Sequence, residues 1–445
     1  MEQSQSTTIV AIEIASSKVR AAMGKIKQGA SLTVTAVEEE VLPTDLVRYG
    51  VIRNVEKVAN ALNRILQRLS MRVKPREIKA VYVALGGRSV ASSVRSVERQ
   101  LPEETEITPS LIDELNREAQ AIGPAGLPGV TDVIASLLRS FTLDGSSTPQ
   151  PVGDIGRDIT AGFVMLAAQE KLRKNIDRVV KEKLHMSVAG YVVLPIAVAD
   201  FVLSPDERSL GCMLVDFGAE TTTVSIYKYS HLQFLSTLPI GSRNITRDIM
   251  ALPYLEEQAE SLKRSGGNAA PKAGDQIVMG GVDFSQINNY IAARASEIII
   301  NIRAQLNQAG ITAQELPKGI VIVGGGAKLR GFNDRLAELT KMRVRAGLPS
   351  TQLRISDSTI APGDLIDIIS VLVKAAAENP VECLSAPPEP VPENDPLEKL
   401  EEIEEPEPEK RKRGNGWVKA LGGRLFKIMQ GPDDLDDDEE YRDDE

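Results

Sequence analysis

Between Gly211 and Tyr227 the chain reads GCMLVDFGAETTTVSIY: an apolar run, an acid, a glycine, three threonines and an alternating strand. A tight strand–turn–strand of this kind aims backbone N–H groups into its turn and makes a cradle for phosphate or another anion. The hydroxyls of Thr221 and Thr222 would add donors, and Asp216 would hold a metal-bound water opposite the phosphates. The plain alternative is an ordinary hairpin with an Asp near its turn. Two other stretches match it. Thr8–Val19 is again strand, acid (Glu13), small-residue turn, hydroxyl and strand. Ile320–Val323 is an apolar strand running into Gly324, Gly325 and Gly326 and closing at Gly331, where backbone can approach a ligand closely.

At 445 residues the chain exceeds what one core supports. Net charge −10 argues against a general nucleic-acid partner. Cys212 and Cys383 make no disulfide framework and imply a reducing compartment, and with His185 and His231 they form no ligand cluster, so no structural metal is expected. No apolar run reaches the length of a membrane span and no signal peptide is present, so a cytoplasmic location is expected.

In chain order, Ile9–Ile14, Val19–Ile26 and Leu32–Val41 read as a meander, and 54–70 as a helix with Val55, Val58, Leu62, Ile65, Leu66 and Leu69 on one face. Ala80–Leu85 is a buried strand stopped by Gly86 and Gly87. From Arg88 to about Ala168 the texture changes to an alternating strand, a helix capped near Thr108, a Gly/Pro loop and two more strands, which reads as an inserted α+β subdomain. Lys171–Leu184 reads as one helix, Val188–Leu194 as a strand, 284–309 as a long helix stopped by Gly310, and Asp364–Glu378 as the last helix of the globular part.

Two acid hairpins followed by a GGG-x4-G strand end resemble the actin-like ATPase superfamily. The run LPIGSRNITRDI followed by EQAESLKRSGG is more specific and resembles the FtsA family, bacterial actin homologues that anchor the FtsZ cell-division ring to the membrane. The resemblance covers 8–384 collinearly, plus the extreme tail. It implies an α/β actin-like ATPase fold of two lobes. One lobe would comprise 1–87 and 169–203 with a final helix at about 364–384, and carry the inserted subdomain 88–168. The other would comprise 204–250 and 318–363 with 251–317. A disordered linker (385–413), an amphipathic helix (414–430) and an acidic tail (431–445) would follow.

The resemblance further implies ATP with Mg2+ in the cleft. Glu13, Ser16, Ser17 and Lys18 would form the first phosphate hairpin, and Asp216, Gly218, Thr221 and Thr222 the second. Glu260 and Lys263 match the E-x-x-K helix facing ribose and base; Gly324, Gly325 and Gly331 match the adenosine turn. Arg294 and Glu297 align with residues that grip the FtsZ C-terminal peptide, although at i,i+3 they also suit a simple intrahelical ion pair. Other implied partners are a second copy of the chain, in a filament, and later division proteins through 88–168. Four residues depart from the pattern: Ala15, Ala219 and Glu220 for glycines, and Thr223 for an Asp. A carboxylate at 220 pointing into a phosphate site would repel it unless Mg2+ or a turn to solvent offsets the charge. At most weak ATP turnover is expected, and no catalytic residue is assigned.

Residues 385–409 carry ten acids and one Lys, a composition that stays extended. Then Lys410–Arg413 reverses the sign. On a helical wheel Trp417, Val418, Leu421, Leu425, Ile428 and Met429 fall within about 120° of arc, with Phe426 at one margin and Lys419, Arg424 and Lys427 opposite. This pattern suits a short interfacial helix on an anionic membrane; docking on a protein is the alternative. Asp433–Glu445 holds ten acids in thirteen residues, either for solubility or folding back on the basic collar.

The expected function is therefore a peripheral division protein on the cytoplasmic face of the inner membrane, tethering the FtsZ ring. The alternatives are an actin-like scaffold for a pilus or secretion machine, and a small-molecule kinase of the same superfold.

Overall fold

The computed structural model describes residues 6–27, 32–124, 126, 129–272, 278, 279, 281–350, 353–378 and 380–386. The linker, amphipathic segment and acidic tail from 387 onward, including Trp417, Val418, Lys419, Leu421, Arg424, Leu425, Phe426, Lys427, Ile428 and Met429, lie outside the described residues.

Two sheets share one strand plan. In the first, Ser6–Ile14, Lys18–Lys27 and Thr33–Val41 form an antiparallel meander. Ala80–Leu85 joins Ser6–Ile14 in parallel, Ser187–Val193 continues outward, and Arg354–Ile355 closes the other edge. In the second, Cys212–Phe217, Thr222–Lys228 and His231–Leu238 form the meander, and Ile320–Val323 and Val344–Ala346 add in parallel. Helices crossing between parallel strands cover the faces, as an α/β chain requires.

Local sequence explains the main elements. Asn54 caps Val55–Met71 by accepting from the Lys57 amide, and the helix buries Val58, Leu62, Ile65, Leu66 and Leu69 against the first sheet. The strand Cys212–Phe217 is apolar almost throughout because both its faces are covered. Cys212 and Leu214 join the first core, while Met213, Val215 and Phe217 join the second with Phe284, Ile291, Ile298 and Phe332.

A third, separate core lies in a four-stranded sheet built from Ala91–Glu106, Ile155–Ala168, Asp132–Leu143 and Ser146–Ser147. Helix Pro109–Ile122, capped by Thr108, packs on it through Leu115 and Ala119, against Phe141 and Phe163.

Two segments differ from the sequence expectation. Lys171–Leu184 is not one regular helix: Glu170–Asp177 is α-helical and Arg178–Lys183 widens into a π turn, which lets the adjacent Val179 and Val180 both be buried. At the other end the last helix, Ile366–Glu378, stops earlier than 384. Residues 380–386 then run extended beside the first sheet: the Cys383 amide donates to the Thr8 carbonyl, and Lys79 and Ala80 donate to the Cys383 carbonyl.

Candidate functional site

The two acid hairpins are built alike. In the first, the Ala15 amide donates to the Lys18 carbonyl across Ser16 and Ser17; in the second, the Gly218 amide donates to the Thr221 carbonyl across Ala219 and Glu220. Glu13 and Asp216 thus occupy equivalent places, two residues before the closing amide. The strand Ile320–Val323 runs parallel to the second hairpin and delivers its glycines beside Asp216. Gly324 has φ +90, and a Cβ there would lie 2.5 Å from an Asp216 carboxylate oxygen, so only glycine lets this turn approach.

Charge is concentrated at the first hairpin. Arg20, paired with Glu13 across the two strands, donates to Glu13 (3.1 Å), Asp367 (3.4 Å) and, through Nε, Glu39 (3.3 Å). Burial pushes the Glu13 carboxyl up to about 6 despite the neighbouring guanidinium. Enclosure, reinforced by the Asp367 and Glu13 carboxylates, also raises Asp216 well above the ordinary carboxylate range. Lys18, the expected phosphate lysine, is engaged by Glu39 at 2.9 Å.

At the second hairpin the Thr222 hydroxyl is buried and donates to the Ile240 carbonyl (2.7 Å), so it is not a phosphate donor here. Thr223 meets Thr237 across the sheet at 3.2 Å. Glu220 neither points at an open phosphate site nor turns to solvent. It is 1% exposed, paired with Arg243 at 2.9 Å and with the Tyr49 amide at 2.7 Å. Ser16 accepts from the Gly50 amide at 3.3 Å. The Tyr49–Gly50 turn is thus hydrogen-bonded to the turns of both acid hairpins.

The helix Glu256–Ser265 carries Glu260 and Lys263 on the side facing Ser242–Ile249. Lys263 donates to Glu260 (2.6 Å), the Thr246 hydroxyl (2.8 Å) and the Ser242 carbonyl (3.1 Å). Burial lowers Lys263; burial opposes the Glu260 carboxylate, but Lys263, Thr246 and Arg264 bring it below its usual range. Nearby, Gly331 (φ +72) leaves 2.3 Å between a would-be Cβ and the Asn268 side-chain amide oxygen Oδ1, while Gly325 faces open space.

The fit to ATP with Mg2+ is therefore split. The glycine turn expected to face adenosine leaves room, with Gly325 open beside Gly324. At the phosphate end Lys18, Thr222 and Ser16 all have intramolecular partners, and Ala15 carries the Cβ that a glycine would omit. Sequence reasoning missed Arg20, Glu39, Asp367, Tyr49 and Arg243. For Arg20 and Glu39 the only signal was the basic pair Lys18 and Arg20 and the acid run Glu38–Glu40, too common to single out.

Arg294 lies on helix Phe284–Ala309 with Glu297 one turn on (2.5 Å), and a second partner was not foreseen. Its Nε and Nη2 grip the Asp248 carboxylate at 2.6 and 2.8 Å. One short helix, Ser242–Ile249, thus holds Glu220 through Arg243 and Arg294 through Asp248. Among the described residues no helix is long and apolar enough to cross a membrane.

Residues 213–363 match the family model described as "Cell division protein FtsA". The cell division protein FtsA of Porphyromonas gingivalis is 29% identical over 350 residues, 75% of this chain and 71% of its own length. That of Pseudomonas aeruginosa is 26% identical over 362 residues, 78% of this chain and 85% of its own length. Among solved structures, a chain of the PilM-PilN type IV pilus biogenesis complex superposes with a TM-score of 0.57, 16% identity, and coverage of 82% of this chain and 98% of that one. This chain is thus similar to cell division proteins FtsA over about three quarters of its length, and its fold is actin-like.

Proposed function

We propose that this chain polymerises as an actin homologue on the cytoplasmic face of the inner membrane and tethers the FtsZ ring there. The division role is inferred from the likeness to FtsA proteins; tethering is argued from the chain's own residues. The observation that carries it is the Arg294 site. A guanidinium about one quarter exposed is held in place by Asp248 on a neighbouring helix and flanked by the half-exposed Glu297. An arginine pre-organised in this way binds the carboxylates of an acidic peptide at low entropic cost. Exposed Met250, Leu255 and Ile300, from the same stretch of chain and the same helix, would supply apolar contact to the FtsZ C-terminal peptide.

The membrane attachment is proposed from the tail sequence: a self-repelling linker, seven basic and no acidic residues between 410 and 428, and an amphipathic stripe. One weak helix per subunit gains avidity in a filament. Later division proteins would dock on 88–168. ATP with Mg2+ is proposed as a structural ligand, held at its adenosine end by Glu260, Lys263, Gly324, Gly325 and Gly331.

The test is fluorescence anisotropy with labelled FtsZ C-terminal peptide. Arg294→Ala should weaken binding at least about tenfold, the loss of one charged hydrogen-bonding partner, while Lys341→Ala should leave it unchanged. Equal affinity of the parent and Arg294→Ala would remove the peptide site. A pilus-type scaffold would bind no FtsZ peptide at all.

A further inference from the structure

The corner where the lobes meet contains an anion that belongs to the chain. Glu220, at the tip of the second hairpin, is 1% exposed. Its Oε2 accepts from the Tyr49 amide (2.7 Å), and its Oε1 pairs with Arg243 (2.9 Å) and lies 3.6 Å from Arg247. The turn it reaches has two successive left-handed residues, Tyr49 (φ 52) and Gly50 (φ 79). Its second amide goes to the Ser16 hydroxyl of the other hairpin. One backbone N–H and two guanidinium groups converging on one point are a donor set for phosphate. The equivalent place on the first hairpin is Ser17, which supplies no such charge. Arg243 is itself only 11% exposed, and its other carboxylate, Glu256, lies farther off at 3.8 Å and is 36% exposed, so a carboxylate missing from this corner would leave buried positive charge only partly balanced.

We propose that Glu220 is an internal stand-in for a phosphate. It fills an anion-binding corner formed by the Tyr49 amide, Arg243 and Arg247, and so closes the lobes on each other without a ligand. The ligand class that takes the corner once the carboxylate leaves is a terminal phosphate, of a nucleotide or free. The inference stands on these contacts whether or not the chain binds FtsZ. It makes cleft closure in this protein a property of the chain, with nucleotide a competitor of Glu220.

Hydrogen exchange followed by mass spectrometry on the full chain tests it, reading the peptide that spans 45–53. In the parent this peptide should exchange slowly, and inorganic phosphate should not change it. In Glu220→Gln exchange should accelerate at least about tenfold, the factor for one lost charge-assisted hydrogen bond, and inorganic phosphate should slow it again. In Glu220→Gln/Arg243→Gln exchange should stay fast with phosphate present. Adding ATP in place of inorganic phosphate separates the two sources: slowing by ATP alone means that the corner is reached only by a tethered phosphate. Parent-like exchange in Glu220→Gln overturns the proposal. So does a variant that neither phosphate nor ATP slows, or rescue that survives the loss of Arg243. If Glu220→Gln does not fold, Arg247→Gln on the corner's solvent side should still accelerate exchange by about threefold, and no acceleration there refutes the corner.

Discussion

Replacing Arg20 by Met removes the cation that bridges Glu13 and Asp367 at the first hairpin. Arg20 and Glu13 are 11% and 5% exposed, and Asp367 lies on the same guanidinium. With Arg20 present the Glu13 carboxyl already sits at about 6 against an ordinary 4.5. That difference makes ionised Glu13 cost the fold about 2 kcal/mol at neutral pH. Losing one partner of a buried pair costs roughly 3–5 kcal/mol, but Glu13 can take up a proton and so limit the loss. The expected destabilisation is about 3 kcal/mol near pH 7.5. Its sign with pH is fixed. The folded pKa lies above the unfolded one, so the native state binds the proton more tightly. Stability is greatest below about 4.5 and falls as pH rises through about 6. Without Arg20 the window widens upward, so the variant should recover most of its loss near pH 5. Urea titrations of parent, Arg20→Met, Glu13→Gln and the double variant measure both effects, with a coupling of about 2 kcal/mol expected between the two sites. A loss below about 1 kcal/mol near pH 7.5, or the same loss at both pH values, would refute the reasoning.

Gly331→Ala should destabilise by about 2 kcal/mol or more in thermal melts, because φ +72 and a 2.3 Å approach to Asn268 both penalise a Cβ; Gly325→Ala, facing open space, should be within about 0.5 kcal/mol of the parent. Arg345→Ala breaks a two-pronged pair with Glu207 (2.6 Å at both prongs) and should lower stability by about 1–2 kcal/mol, a loss that salt should diminish in the parent. Deleting 431–445 should raise affinity for anionic vesicles at low salt in a flotation assay; unchanged affinity would show that the acidic tail does not shield the basic collar.

The actin-like fold was legible because its signals are local. Each acid hairpin closes within a few residues, the glycine strand end is a contiguous run, and the covered strand Cys212–Phe217 is apolar on both faces. The inner chemistry of the cleft was not legible, because its partners come from far along the chain. Glu220 meets an amide 171 residues away, and Arg20 meets a carboxylate 347 residues away. From sequence a glutamate in a phosphate turn reads as repulsion. Only the fold brings Arg243 and Tyr49 to it and turns that repulsion into a contact. The same holds for Lys18 and Thr222, whose residue types suit a phosphate but whose side chains are engaged by Glu39 and Ile240. The π turn at Arg178–Lys183 left no mark in a pattern that reads as plain helix.

The central claim is that this chain carries FtsZ to a membrane. Flotation of anionic liposomes with purified FtsZ and this protein, with and without residues 414–430, tests it most directly. FtsZ should float only when the full-length chain is present. If the protein floats and FtsZ stays at the bottom, or if FtsZ floats equally well without residues 414–430, the tether is contradicted.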